Sequence, residues 1–414
     1  MKDPAQRLRV GVVFGGVSPE HEVSVITGLQ AAAALDRTRY EIVPLYIAKD
    51  GSWYTGPVLL ELEAYQDLDA LRQAAIPVRF DPAVHGRMLL VEATPRRWPW
   101  QRPRRYLVDV VLLALHGGDG ENGGVQGLCE TLNVPYTGSG VLGSALGMDK
   151  VLSKLLCREQ GIPVVDFLWF READWAGREE EWLDRLEAEL GYPMVVKPAR
   201  LGSSIGIQRV EDRQALDAAI EEAFRYDEKV VVERAVRNLR EVNCAVLGDP
   251  SEARPSVLEE PVRSDPSKLL TFQDKYMRGS GKTGRRGSKQ QAPQGMASLD
   301  RIIPAPLDEA QTRAVQEMAV RVFQLFECAG VARIDFLLDD DTGQVYFNEI
   351  NTIPGSFSFY LWELVGVSFD ALMDELIRLA QKRHREKNGR VRSYDVNLLS
   401  VRSLQGLKGV KQRS

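Results

Sequence analysis

Short apolar runs alternate with stretches of helical spacing along the first third of the chain. The runs are "LRVGVVF" (8–14), "EIVPLYIA" (41–48) and "LVDVVLLAL" (107–115), with a helix predicted from about Pro19 to Leu35. Such strand–helix alternation predicts a parallel α/β layer. Ser18 before Pro19 is a helix-start signal, because proline is tolerated at the first helical position. A second unit contains "MVVKPARLGSSIGIQRV" (194–210), which reads as strand–loop–strand. A third begins near "KVVVERAV" (229–236) and ends in a helix from Ser368 to about Arg383. Inside it, "GVARIDFLLDDDTGQVYFNEIN" (330–351) reads as a β-hairpin that turns in "DDDTG". The stretch "RGSGKTGRRGSKQQAPQG" (278–295) lacks apolar periodicity and is a mobile loop by composition.

Composition narrows the class. The 414 residues are 44% hydrophobic and 27% charged, as in a soluble globular protein of two or three domains. A net charge of −5 gives no sign of a nucleic-acid or membrane partner. "RRWPWQRPRR" (96–105) is basic and aromatic, but its prolines favour a surface loop over a nucleic-acid patch. The four cysteines lie far apart without a CxxC pair, which fits free thiols in a reducing cytoplasm. "VVLLAL" (110–115) is far below the ~20 apolar residues that cross a bilayer. The N-terminal apolar run is too short for a signal peptide, so the expectation is cytoplasmic, without membrane insertion. After Gln381 there are ten Lys/Arg and two Asp/Glu, a basic tail.

Two nucleotide-like motifs are set aside. "GSGKT" (279–283) resembles the end of a P-loop, but Tyr276 stands where its first glycine belongs, and no strand feeds a helix there. "GSGVLG" (138–143) matches G-x-G-x-x-G after the first α/β unit has ended, whereas a dehydrogenase carries that fingerprint after its first strand.

The hairpin carries chemistry. Side chains alternate on a strand, so Arg333, Asp335 and Leu337 share one face, as do Phe347, Glu349 and Asn351 on the return. Pairing Asp335 with Glu349 sets two carboxylates ~5 Å apart, which destabilises a sheet. A divalent cation between them reverses the sign, and Asn351 adds a neutral oxygen. Carboxylates plus phosphate oxygens are how Mg²⁺ is usually held. A solvated strand end fits the same spacing. In "KPARLGSSIGI" (197–207), Gly202, Ser203 and Ser204 can present successive N–H groups to phosphate, Gly206 allows close approach, and Lys197 supplies charge. A plain Gly/Ser turn has the same composition. Lys150 alone reads as a helix lysine. A phosphate loop and a metal hairpin in one chain predict ATP held between two closing units.

Seven motifs, "FGGVSPEHEVSV", "LHGGDGENGGVQG", "YTGSGVLGSALGMDK", "KPARLGSSIG", "DKY", "ARIDF" and "NEINTIPG", occur in the order found in D-alanine–D-alanine ligases of the ATP-grasp superfamily. The chain resembles that family from roughly residue 8 to 380. The resemblance implies an α/β fold, α+β in its ATP-binding part. It implies a Rossmann-like parallel-sheet domain (1–138), a central ATP-grasp subdomain (139–232), a C-terminal subdomain (233–382) with a lid over 270–296, and a basic tail (383–414). It implies ligation of two D-alanines with ATP through a D-alanyl phosphate, for peptidoglycan precursors, by a homodimer. Asp335, Glu349 and Asn351 would bind Mg²⁺ or Mn²⁺. Lys150 and Lys197 would touch ATP phosphates beneath the loop of Gly202, Ser203 and Ser204. Glu233 would meet the adenine edge and Glu241 the ribose. Glu20 would hold the ammonium of the first D-alanine and form, with Ser203 and Tyr276, the set that closes the lid. His116 and Lys275 would neighbour phosphates and substrates. Arg333 and the Gly355 N–H would stabilise the oxyanion as the second amine attacks, each contributing ~3–4 kcal/mol.

The chain departs from the family at three places, one of them a lid insertion (278–295) longer than usual. Where a small hydroxyl residue commonly contacts the second substrate's carboxylate, this chain has Tyr360, with Ser356 and Ser358 nearby. Asn122 stands where an acid is common. Tyr276 favours D-alanine as second substrate. The rival readings are a sister ligase using D-lactate, D-serine or another amino acid, and a non-catalytic nucleotide-binding homologue.

Overall fold

The computed structural model describes residues 7–262 and 301–393, apart from 83, 85, 95–99 and 101, together with residue 397. Lys275, Tyr276, the loop 278–295, the rest of the expected lid, residues 96–99 of the basic stretch and most of the tail beyond 393 lie outside the described residues.

The N-terminal apolar runs become β1 (Leu8–Gly15), β2 (Tyr40–Ile47), β6 (Arg105–Val108) and β7 (Val110–Leu113). With β3 (Trp53–Thr55), β4 (Ile76–Asp81) and β5 (Met88–Glu92) they form one sheet in the order β6-β5-β4-β3-β2-β1-β7. Only β2, β1 and β7 run parallel, so the predicted parallel layer is the core of a mixed sheet with an antiparallel arm. The run 107–115 is cut at Asp109, whose carboxylate binds the Arg9 guanidinium at 2.9 and 3.0 Å and the Arg9 N–H at 3.1 Å. The strands on either side of that residue stand at opposite ends of the strand order, so the sheet curls round on itself.

The first helix spans His21–Ala34, two residues later than predicted. Ser18 does not cap it; its hydroxyl accepts the Glu20 N–H at 3.1 Å, and Glu20 takes the cap position. This leaves the Glu20 carboxylate at the helix start, beside the loops that build the site. The helix lies close on β1, since a Cβ at Gly28 would sit 2.5 Å from Phe14 Cβ and Cγ.

The second sheet holds β8 (Phe167–Arg171), β9 (Met194–Pro198), β10 (Gln208–Val210) and β11 (Lys229–Arg234) in the antiparallel order β10-β9-β11-β8. The predicted strand–loop–strand is β9 and β10. The boundary expected at 232/233 falls inside β11.

The third sheet holds β12 (Leu239–Asp249), β13 (Glu252–Pro261), β14 (Arg301–Ile302), β15 (Gly330–Asp339) and β16 (Val345–Asn351), ordered β14-β13-β12-β15-β16. Its hairpin pairs Asp335 with Glu349, as the spacing predicts. One expectation fails. A bulge after Asp335 pairs Phe336 with Phe347, and Phe347 and Ile350 both enter the core, so Phe347 does not share a face with Glu349. The extra residue, Asn348, turns its side chain toward Lys197. The last helix runs Phe369–Asn388, so residues 383–388 of the expected tail are helical. Arg383 is anchored there by donating to the carbonyls of Gly138 and Tyr136 at 2.6 and 2.8 Å.

Close packing at Gly28 gives a test of this arrangement. Alanine is the better helix former by ~1 kcal/mol, yet its methyl must displace Phe14, and overpacking of this kind typically costs ~1–3 kcal/mol. Urea unfolding of Gly28→Ala should therefore show a net loss of stability; a gain would contradict the packing.

Candidate active site

Two cavities open between the sheets and share Glu349 in their walls. The first is lined by Glu20, His116, Glu121, Lys150, Gly202, Ser203, Arg333, Glu349, Asn351 and Gly355, drawn from all three sheets' units. The second is lined by Lys197, Ser204, Glu233, Glu241, Asn243, Asp335, Asn348 and Glu349. Every predicted site residue that is described lines one of them, except Ser356 and Tyr360.

The lysines are placed by local structure. Asp149 caps the helix Lys150–Glu159 by accepting from Val151 and Leu152 N–H at 3.0 Å, and it also takes the Lys229 ammonium. That start aims Lys150 into the first cavity, where its Nζ donates to the Leu201 carbonyl at 2.8 Å and pairs with Glu349 at 3.0 Å. Burial lowers the Lys150 pKa, but the Glu349 charge outweighs it and the net shift is upward. One helical turn on, Lys154 is wholly buried 3.3 Å from Glu233, and burial pushes its ammonium down to about 8. Lys197 on β9 donates to Glu233 at 2.7 Å and to Asn348 at 3.0 Å. Burial raises the Glu233 carboxyl, yet Lys154 and Lys197 bring it below its usual range.

The hairpin carboxylates are also compensated. Arg333 donates twice to Asp335 at 2.7 Å, and Asn351 Nδ2 donates to Asp335 at 3.1 Å. Burial would lower the Arg333 pKa, but Asp335 holds it well above the ordinary value. The two carboxylates are register partners, Asp335 held by Arg333 and Asn351 and Glu349 by Lys150. The Gly/Ser loop bends sharply here, with Ser203 at φ 54° and Ser204 at φ 59°. Left-handed backbone costs a non-glycine residue roughly 1–2 kcal/mol, and the loop is fixed by Ser203 donating to Glu20. Gly202 permits the approach, because a Cβ there would lie 2.8 Å from a Glu20 oxygen.

Ser356 and Tyr360 sit outside the cavity walls. The Ser356 N–H donates to Thr27 Oγ1 at 3.1 Å, and the Tyr360 phenol donates to Glu259 at 3.2 Å beneath Arg301. In this structure the Tyr360 phenol is thus engaged within the third sheet's unit. Several residues escaped sequence reasoning. Glu121 accepts the Gly117 and Ile353 N–H groups at 3.0 and 3.3 Å, and burial, with the Glu20 charge, pushes its carboxyl up to about 7. It lies one residue before Asn122, so the acid of that loop is present at the neighbouring position. Lys154 was visible as the i+4 partner of Lys150, and Asn348 only through the bulge.

Comparisons with known proteins agree with this architecture. Residues 9–139 match the family described as "D-ala D-ala ligase N-terminus" and residues 156–378 the one described as "D-ala D-ala ligase C-terminus". The chain is 38% identical over 395 residues to "D-alanine--D-alanine ligase" of Thermosipho melanesiensis, covering 95% of this chain and 99% of that protein. It is 39% identical over 386 residues to the protein of the same name from Bacillus cytotoxicus, covering 92% and 98%. Among solved structures, the D-alanine-D-alanine ligase of Coxiella burnetii superposes with a TM-score of 0.73 at 31% identity, covering 93% of this chain and 97% of that one. VanG D-Ala:D-Ser ligase of Enterococcus faecalis gives 0.72 at 31% identity, covering 91% and 100%. The mixed α/β sheets, the two cavities and the matches over both halves lead to one assignment: this chain belongs to the D-alanine–D-alanine ligase family, with the ATP-grasp fold.

Proposed function

We propose that the protein joins two D-alanines at the expense of ATP, releasing ADP and phosphate and supplying D-alanyl-D-alanine for peptidoglycan precursors. The observation that carries this reading is the pair of cavities meeting at Glu349. The second would hold ATP. Glu233 lines it, buried, with Oε1 ion-paired to Lys154 at 3.3 Å, and would meet the adenine amino group. Glu241 would take the ribose, and Lys197, Lys150 and the loop of Gly202, Ser203 and Ser204 the phosphates. The carboxylates of Asp335 and Glu349, with the Asn351 amide oxygen once that side chain turns, would hold Mg²⁺ or Mn²⁺ together with phosphate oxygens. Such an ion, when bound, would neutralise phosphate charge.

The first cavity would hold the amino acids. Glu20 would pair with the first D-alanine's ammonium, leaving its carboxylate oxygen to attack the γ-phosphorus and give D-alanyl phosphate and ADP. The second D-alanine's amine then attacks the acyl carbon; the C–O bond to phosphate breaks, and the nitrogen loses its proton. Arg333 and Gly355 line this cavity and would stabilise the oxygen that gains charge in that step. His116, kept neutral by burial that lowers its pKa to about 4, lines the same wall. The acyl phosphate must be kept from water; the family resemblance gives that part to Lys275 and Tyr276, which lie outside the described residues. Cytoplasm and a homodimer are the setting that goes with this reading.

The structural likeness to a D-Ala:D-Ser ligase favours a second reading, in which another acceptor replaces the second D-alanine. Phosphate release with D-alanine as donor and D-alanine, D-serine or D-lactate as acceptor separates the two. D-Alanine should give a kcat/KM at least about tenfold above the others, ~1.4 kcal/mol of discrimination; a reversed order would establish the sister activity.

Glu349 stands in both cavity walls, so Glu349→Gln should lower turnover by about 100-fold or more, on the scale of losing a charge-stabilising group. Circular dichroism should remain that of the parent. Full activity would remove Glu349 from the metal assignment.

Glu121 sets a pH dependence. Its folded pKa is about 7 against an ordinary 4.5, so its contribution to stability is present below 4.5 and lost as pH rises through 7. Glu121→Gln lacks that titration. The parent's melting temperature minus the variant's should fall between pH 5 and pH 8, and a constant difference would contradict the shifted carboxyl.

A further inference from the structure

We propose that Thr27 is a positioning residue for this reaction: its hydroxyl holds the Ser356 N–H and thereby aims the neighbouring Gly355 N–H at the developing oxyanion. The proposal rests on the reading that Gly355 faces that oxygen.

The turn after β16 needs an outside support. Ser356, Phe357 and Ser358 are consecutive non-glycine residues with φ of 51°, 54° and 49°. Side chains disfavour this left-handed region, and such conformations persist only where surroundings over-determine them. The turn's own hydroxyls do not supply that support, because Ser356 Oγ and Ser358 Oγ are buried without a hydrogen bond among the described residues. Within the turn, the Phe357 N–H donates to the Pro354 carbonyl at 2.8 Å, and side-chain oxygens of the first sheet's unit take two further N–H groups. Ile353 N–H donates to Glu121 at 3.3 Å, and Ser356 N–H donates to Thr27 Oγ1 at 3.1 Å. Gly355 lies between those two fixed points.

Thr27 is suited to hold its end. It is 1% exposed and sits beside Gly28, where the helix is locked against Phe14. Its oxygen also lies 2.8 Å from His116 Nε2. A hydroxyl has one proton and two lone pairs, so Thr27 can accept from Ser356 and still bond His116 in either direction. His116 also hydrogen-bonds the Ile353 backbone; where a neutral ring donates there through its other nitrogen, Nε2 carries the lone pair that accepts from Thr27. His116, Thr27 and Glu121 thus grip the turn at Ile353 and Ser356 together, all three from the unit that also carries Glu20. An oxyanion donor misplaced by about 0.5 Å loses most of its effect, so the grip couples the packing of that unit on the third sheet to the second chemical step.

Thr27→Val keeps the shape and removes the hydroxyl; Thr27→Ala removes it with less bulk; Thr27→Ser keeps it. Val and Ala should lower kcat roughly 10–100-fold, a fraction of the ~10²–10³ lost with a whole donor. KM for ATP should stay within about threefold and melting within a few degrees. Affinity for a tetrahedral phosphinate analogue of the dipeptide, measured with ATP present, should fall in step with kcat/KM. Ser should recover most of the rate. The proposal is overturned if Val keeps kcat within about twofold, if Ser is as impaired as Val, or if the loss follows ATP affinity and melting instead of the analogue. A parent that releases no phosphate with D-alanine and ATP overturns the functional reading, and this proposal with it; an active parent with an unimpaired Val variant overturns only the role of Thr27.

Discussion

Buried positive charge is the constraint around which the rest of the molecule is arranged. Lys150, Lys154, Lys197 and Arg333 are all buried, and each is compensated by a carboxylate, Glu349, Glu233 or Asp335, also on the cavity walls. Removing one partner of such a pair typically costs about 3–5 kcal/mol, because the other charge is left without compensation. The arrangement is therefore self-enforcing. The helix Lys150–Glu159 presents its two lysines one turn apart to carboxylates from different sheets, so it docks only when β11 and β16 are both in place.

The first sheet's unit contributes differently. It supplies Glu20 at a helix start, Glu121 from a glycine-rich loop and the Thr27–His116 pair, and these meet the Gly/Ser loop and the turn after β16. Two segments with left-handed backbone, at Ser203–Ser204 and Ser356–Ser358, are both held by side chains of that unit. Strain of this kind collects where backbone N–H groups must point at a ligand. The unit thus shapes the site without providing the cations.

Much of this was legible in the sequence for identifiable reasons. The hairpin was readable because alternation and a "DDDTG" turn fix register, and Asp335 does face Glu349. The strand pair around the Gly/Ser loop was readable from β-branched runs flanking glycines. Other features depend on tertiary placement. Asp109 splits an unbroken apolar run because Arg9, a hundred residues earlier, captures it. The bulge that sends Asn348 toward Lys197 leaves no mark in the alternation until Phe336 and Phe347 are seen to share the core. Tyr360 looked like a substrate contact from its position after the turn, yet Glu259 and Arg301 claim it, and both come from elsewhere in the third sheet. Thr27 carries no motif of its own, so burial and partners alone single it out, whereas Lys154 had only its i+4 spacing from Lys150.

The most direct measurement is a crystal structure with a non-hydrolysable ATP analogue and Mg²⁺. The adenine should lie at Glu233 and the terminal phosphate beside Lys150, with Asp335 and Glu349 holding the metal and the Lys150–Glu349 and Lys197–Glu233 pairs loosened as the phosphates arrive. Nucleotide bound elsewhere, with those pairs unchanged and no metal on the hairpin, would contradict it.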